Sequence, residues 1–380
     1  MSRTLILGGG FGGLTVSTEL KRLLGAQHEV VLVDRKEHFS MGLRKLWELV
    51  GHATIADGSR SRDVLRDRGI RVVRGEIQEI DPPARSAQVD GNTIEADYLV
   101  VALGAVSRPD LVPGLAEHGH DVWDIAGIPA ATEALARFDG GRIAILIAGA
   151  PYPCPPAPYE CAIHVHEHLR DRGLRDRSEI IVSTVQPMLM PNAGREGSAW
   201  MGEQLTRREI HHQVASKVER IDPGRIVFTE SELEFDLLIT VPPHRVPDVA
   251  KASGLTGEGE WITVDPATLE TSHPSVFGIG DVTQIPLANG LPLPKAGVIA
   301  ELEGMRVAAA IAADAQGGDL PPPFDGRGAC FIEMGTEAAL VDGDWYATPE
   351  PLVAIAEPAA AHAAEKRLFE TERLGRWFGA

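Results

Sequence analysis

No run of apolar residues in this sequence reaches the roughly 18 to 20 that a membrane-spanning helix requires, and only three cysteines, Cys154, Cys161 and Cys330, occur in 380 residues. The first absence argues against a spanning helix. The second rules out a disulfide scaffold and leaves three thiols that, in a reducing compartment, are ordinarily buried and inert unless something else marks them. Basic charge is also scarce, with 36 Lys and Arg against 54 Asp and Glu and a formal net charge of −18. These charges are interspersed rather than blocked, so no nucleic-acid partner is expected and the excess reads as solubility. The start, "MSRTLILGGG", runs into a strand with no signal-peptide layout, and a cytoplasmic protein is expected.

What is present is glycine in one place and proline in another. With 44% apolar residues the chain has material for two or three domains with real cores. "TLILGGGFGGLTVSTELKRLL" reads as a strand at Leu5 to Leu7, a turn, and a helix with Leu14, Leu20, Leu23 and Leu24 at helical spacing. Gly8, Gly10 and Gly13 fit G-x-G-x-x-G, in which the first glycine permits the turn, the second admits a pyrophosphate, and the third lets helix pack on strand. "EVVLVDRKEHF" then supplies a second strand ending in Asp34, 21 residues after the last glycine, at the ribose-hydroxyl position of the fingerprint.

Two further stretches identify the dinucleotide as FAD. "YLVVALGAVSRP" is an apolar strand that breaks at Leu103-Gly104-Ala105, and "HPSVFGIGDVTQIP" is another that ends in Gly280-Asp281. Both are similar to secondary motifs of flavoproteins with two dinucleotide domains, where the second aspartate binds the ribityl and phosphate region. The cofactor-binding set is therefore Gly8, Gly10, Phe11, Gly12, Gly13, Asp34, Arg35, Ile77, Ala102, Leu103, Gly104, Gly280, Asp281, Lys295, Ala296 and Gly297. A helix is expected from about Ala296, its N-terminus toward the flavin pyrimidine, with Lys295 offering a positive charge there.

The middle of the chain departs from a nicotinamide site. After the strand "GGRIAILIAGA", where a second glycine loop would stand, comes "PYPCPPAPYE". Proline has no N–H and fixes its own torsion, so this loop lacks the amide cradle for a second pyrophosphate. Cys154 lies just ahead of a helix expected from about Tyr159, where a lowered thiol pKa is anticipated; Cys161 lies inside that helix and reads as packing. His164, His166 and His168, beside Glu160 and Glu167, do not share one helical face, so a solvated polar face is expected rather than a metal site. "SKVERIDPGRIVFTESELEFD" has the period-two pattern of a hairpin or meander.

These residues together resemble the family of sulfide:quinone oxidoreductases and flavocytochrome c sulfide dehydrogenase flavoproteins. The likeness is carried by "CPPAPYE", "PKAG", "GIGDV", "VPPHRVP" and "GRGACFIEMG", and extends from residue 1 to about residue 340. It implies that Cys154 and Cys330 meet beside the flavin as a redox-active disulfide or sulfur-bridged pair, and that Glu160 handles protons. Hydrosulfide would then attack at Cys330, leaving a persulfide and freeing the Cys154 thiolate, from which electrons reach the flavin. Two departures stand out: no cysteine precedes Pro153, and only 50 residues follow Cys330.

The tail reads as a linker, "EPLVAIAEP", and a helix, "AAAHAAEKRLFETERLGRWFG". Lys366, Arg367, Arg373 and Arg376 make its tip basic, and Trp377 with Phe378 suits an interfacial helix at a membrane's inner face. Docking on its own domain or on a partner subunit is the competing expectation. The resulting picture is an α/β protein with two Rossmann-like dinucleotide-binding domains. The FAD domain comes from 1–112 and 245–325, the second from 113–244 with its nicotinamide site lost, and 326–380 forms a C-terminal region with a terminal helix. The expected activity is FAD-dependent oxidation of sulfide or a small persulfide, with a quinone or small electron-carrier protein as acceptor and a homodimer as the default assembly. An NAD(P)H-dependent quinone reductase and a flavin-bound redox sensor are the alternatives.

Overall fold

The computed structural model describes residues 2–379. Two five-stranded parallel sheets organise it. The first runs Val276–Gly278, Tyr98–Val101, Ser2–Leu7, His28–Asp34, Arg71–Arg74, with Leu5 opposite Val31 and Leu99. Leu5, Ile6, Leu7, Leu99, Val100 and Val101 are wholly buried. Such uninterrupted apolar strands belong to a parallel sheet covered on both faces. The covering helices include Phe11–Leu24 and the long alanine-rich helix Gly297–Gln316, which cross closely: a Cβ on Gly304 would stand 2.9 Å from the Gly12 carbonyl oxygen.

The second sheet runs His120–Asp121, Leu237–Val241, Gly141–Ile147, Ser178–Thr184, Ile210–Gln213, again all parallel. Each sheet has a three-stranded antiparallel companion, Ile77–Asp81 with Ser86–Val89 and Asn92–Glu95, and Val218–Asp222 with Arg225–Phe228 and Glu232–Glu234. The second of these is the meander expected from its alternating pattern.

The C-terminal region holds one more antiparallel sheet, Arg327–Glu333, Ala338–Asp344 and Leu352–Ile355. The stretch read as a linker therefore contains a strand. Its alternation explains why: Val353 and Ile355 turn inward against the core while Leu352 stays exposed.

The terminal helix, Ala360–Phe378, folds back onto its own chain. Trp377 is wholly buried and meets Phe11 and Phe39 edge-on at 5.1 and 5.4 Å, and its indole N–H donates to Thr15 Oγ1 at 3.2 Å. Arg373 donates to Glu301 at 2.7 Å and Arg376 pairs with the same carboxylate. Of the two expectations for this tip, docking on its own domain is the one the structure shows: Trp377 and Phe378 are core residues and present no interfacial edge. No helix among the described residues is long and apolar enough to cross a membrane.

Candidate active site

A cavity of about 320 Å³ opens where the two sheets, the C-terminal strands and the terminal helix meet. Its wall includes Phe11 from the glycine loop, Cys154 and Glu160 from the proline loop and its helix, Asp281 with Lys295 to Gly297, Cys330, and Lys366. Cys154 and Cys330, distant in sequence, thus share one space. All three cysteines are free thiols. Cys161 is wholly buried in the core of the second sheet and takes no part in the cavity wall.

The proline loop fixes Cys154 by hydrogen bonds from three directions. Its N–H donates to the Lys295 carbonyl at 2.6 Å, its carbonyl accepts from Ala157 N at 3.0 Å, and the preceding Pro153 carbonyl accepts from the Trp123 indole N–H at 2.7 Å. Cys154 has φ 58°, left-handed backbone that a non-glycine residue adopts only when its surroundings enforce it. The helix that follows is Ala157–Asp171, starting two residues earlier than expected.

Helix proximity does not make this thiol acidic. Cys154 is exposed where it opens onto the cavity, but the protein packed around it strips solvent from the thiolate, and this desolvation, then Glu160, push its pKa up to about 11, outweighing Lys366, Lys45 and the Ala157 amide, which act the other way. The expected lowering is therefore corrected: one amide and two cations do not repay the loss of solvent around a thiolate. Cys330 is pushed to about 12, by burial first and then by Cys154 and Glu160.

Behind the cysteines lies a buried ionic cluster that sequence reasoning missed. Lys366 forms a close ion pair with Glu160 and donates to Glu333 at 2.9 Å, while Glu160 also accepts the Glu333 N–H at 2.9 Å. Glu333 Oε2 further accepts from the Trp47 indole at 2.7 Å and stands 3.3 Å from His164 Nε2. Burial opposes ionisation of Glu333, yet His164 and Lys366 hold it well below the usual carboxylate range. Burial likewise opposes the Lys366 charge, and Glu160 and Glu333 override it and raise its pKa. His164 and His166 are buried, which corrects the expected solvated face. Glu160, His164 and Glu333 do bring ligand atoms within 4.8 Å of one another, but the Lys366 ammonium already supplies the cation between the carboxylates.

At the nucleotide end, Gly8 has φ 103° and a Cβ there would collide with the Ala102 carbonyl, while one on Gly13 would collide with the Gly8 carbonyl. Gly10 faces open space, with nothing within 4 Å of a Cβ position. Asp34 accepts from Gly9 N at 2.7 Å and pairs at 3.3 Å with Arg62, a buried guanidinium that also donates to the Gly9 carbonyl at 2.7 Å. Arg62 was invisible in sequence because it lies outside the fingerprint. Arg35 is an outward side chain 3.5 Å from Glu76, and Ile77 packs in the core; neither lines the cavity.

At the other end, Asp281 Oδ1 is buried with no hydrogen-bond partner, and burial raises the carboxyl's pKa. An open space above Gly10 and an unpartnered carboxylate oxygen on the cavity wall fit a dinucleotide, whose pyrophosphate and hydroxyl groups complement them. Lys295 is placed differently from expectation. Its ammonium donates to the Asp281 and Thr283 carbonyls at 2.8 and 2.7 Å and lies 3.6 Å from the Trp261 ring centroid, tying down the Asp281 turn. Burial takes its pKa to about 8 against the pull of Asp281 and Glu303.

The family model of pyridine nucleotide-disulphide oxidoreductases matches residues 2–317. The chain is 26% identical over 301 residues to the mitochondrial sulfide:quinone oxidoreductase of Mus musculus, covering 74% of this chain and 66% of that protein. It therefore spans about two thirds of that relative's length. It is 28% identical over 345 residues to an alternative NAD(P)H-ubiquinone oxidoreductase of Arabidopsis thaliana, covering 78% of this chain and 64% of that one. Its fold is that of the sulfide:quinone oxidoreductase structure from the hyperthermophilic bacterium Aquifex aeolicus, with a TM-score of 0.90 at 21% identity over 100% of this chain and 92% of the other.

Proposed function

This chain belongs to the pyridine nucleotide-disulphide oxidoreductase family and is an FAD-dependent oxidoreductase, and from that premise we propose that it oxidises sulfide or a small persulfide through Cys154 and Cys330 and delivers the electrons to a quinone. The observation that carries this reading is that both cysteines line one predominantly apolar cavity behind a loop unable to cradle a second pyrophosphate. The mouse and Aquifex relatives support the sulfur chemistry and the quinone by their names.

Gly8, Gly10 and Gly13 would hold the pyrophosphate, and Asp281 with Gly297 the ribityl and pyrimidine end. Bound FAD supplies a two-electron sink. The chain's own residues perform the sulfur steps. In the oxidised pair, hydrosulfide attacks the Cys330 sulfur, the Cys330–Cys154 bond breaks, and Cys154 leaves as a thiolate while a persulfide forms on Cys330. That leaving group is fixed by the Lys295 carbonyl and Trp123 contacts of its loop. Glu160, locked to Lys366, holds negative charge near Cys330 and orders the strand through the Glu333 N–H.

A second reading, reduction by NAD(P)H, is favoured by the Arabidopsis relative's name and opposed by four prolines between residues 151 and 156. Anaerobic mixing separates the two. Cys154→Ser should retain FAD absorbance yet lose flavin reduction by sulfide by at least about a thousandfold. Retained reduction by sulfide would refute the assignment, and rapid bleaching by NADH alone would install the second reading.

A further inference from the structure

The short helix Arg44–Leu49 carries none of the sequence motifs, yet it sends Lys45 to the cavity wall. An ammonium has three N–H donors, and Lys45 has a single hydrogen-bond partner among the described residues, the Trp123 carbonyl at 2.6 Å. No carboxylate forms an ion pair with it there. Lys366, by contrast, has two carboxylates and Lys295 two carbonyls. Beyond its bond to the Trp123 carbonyl, the Lys45 ammonium meets, among the described residues, only the face of the Trp123 ring, 5.8 Å from its centroid, so two of its N–H donors are left for a ligand in the cavity.

The same tryptophan fixes the lysine and the thiol. Its carbonyl accepts from Lys45, and its indole N–H donates to the Pro153 carbonyl, one residue before Cys154. Burial lowers the Lys45 pKa, and the charges of Cys154, Asp121, Asp124 and Asp281 act in the other direction to hold its proton. Asp121 is already engaged, accepting from Trp123 N at 2.7 Å, Asp124 N at 3.1 Å and the Ser107 hydroxyl at 2.6 Å. Hydrosulfide and persulfides are anions near neutral pH, and an apolar cavity rejects an anion that meets no cation.

We propose that Lys45 is the anion-binding residue of this cavity, capturing the sulfur substrate as hydrosulfide or a persulfide anion beside Cys154. The inference rests on the reading of Cys154 as the redox thiol and adds the charge state of what the site takes in.

The test uses the dithionite-reduced holoenzyme and two alkylating probes of similar size, anionic iodoacetate and neutral iodoacetamide, with modification of Cys154 followed by peptide mass spectrometry. Lys45→Met should lower the iodoacetate-to-iodoacetamide rate ratio about tenfold, the scale of one lost ionic contact, and Lys45→Arg should preserve it. The sulfide concentration giving half-maximal flavin reduction should rise similarly in Lys45→Met. Should that variant fail to retain FAD, Lys45→Gln, which keeps a donor for the Trp123 carbonyl, gives the same comparison. An unchanged ratio, or equal slowing with both probes, overturns the proposal. Because neither probe is sulfide, this outcome is separate from failure of the sulfide reading, which Cys154→Ser decides.

Discussion

A thiol with a pKa of about 11 is almost wholly protonated at neutral pH, so under the proposed function the reactivity of Cys154 comes from where its loop holds it and not from an acidic thiol. Alkylation of the free thiol should still be accelerating between pH 8 and pH 10, within the range that the pKa sets; a profile already flat at pH 7 would contradict the dominance of burial. Cys161, seven positions later, is a different case. It is wholly buried among Ile163, Val165 and the strands of the second sheet. Cys161→Ser places a hydroxyl in that apolar core and should lower stability by about 1–3 kcal/mol. Thermal unfolding should register the loss while flavin reduction by sulfide keeps its rate.

The terminal helix joins the chemistry to the rest of the fold through one buried ammonium. Lys366→Met leaves Glu160 and Glu333 facing each other without a cation, and should cost about 3–5 kcal/mol. The pH dependence has a definite sign. The folded Glu333 pKa lies below its ordinary 4.5, so its stabilising contribution is present above pH 4.5 and is lost as pH falls through the folded value. Lys366 has a folded pKa above its ordinary 10.5, so its contribution is present below pH 10.5 and is lost only as pH rises through that higher value. Unfolding measured from pH 3 to pH 8 should therefore show the wild-type advantage over Lys366→Met shrinking toward the acid end. A constant difference would mean that the cluster contributes through packing alone. Gly13→Ala tests the other cofactor-side element: the added methyl meets the Gly8 carbonyl, and FAD should be lost on gel filtration.

At the scale of the whole molecule, what could be read in sequence was what is local. The glycine turn, the Gly280-Asp281 turn and the proline loop each carry their constraint in a few adjacent residues, and parallel strands buried on both faces announce themselves as apolar runs. The ionic cluster could not be read this way, because Lys366 and Glu160 are 206 residues apart and their pairing leaves no periodic trace. Isolated from its partner, Lys366 reads as part of a basic tip, and Trp377 suits an interface and docking on its own domain alike. His164 and His166 were misread for the same reason, since their burial comes from strands and helices outside their own segment. Lys45 left no distinguishing signal, one basic residue beside Arg44 at the start of "RKLWELV".

The central claim is that sulfur, not a nicotinamide, feeds electrons into this flavoprotein through two cysteines on one cavity wall. Anaerobic titration of the purified holoenzyme with sulfide tests it most directly, following the flavin band and the long-wavelength absorbance of a thiolate against the ring. The account predicts stoichiometric bleaching of the flavin with a transient long-wavelength band that Cys154→Ser abolishes. A flavin that stays oxidised with sulfide and bleaches at once with NADH would contradict it.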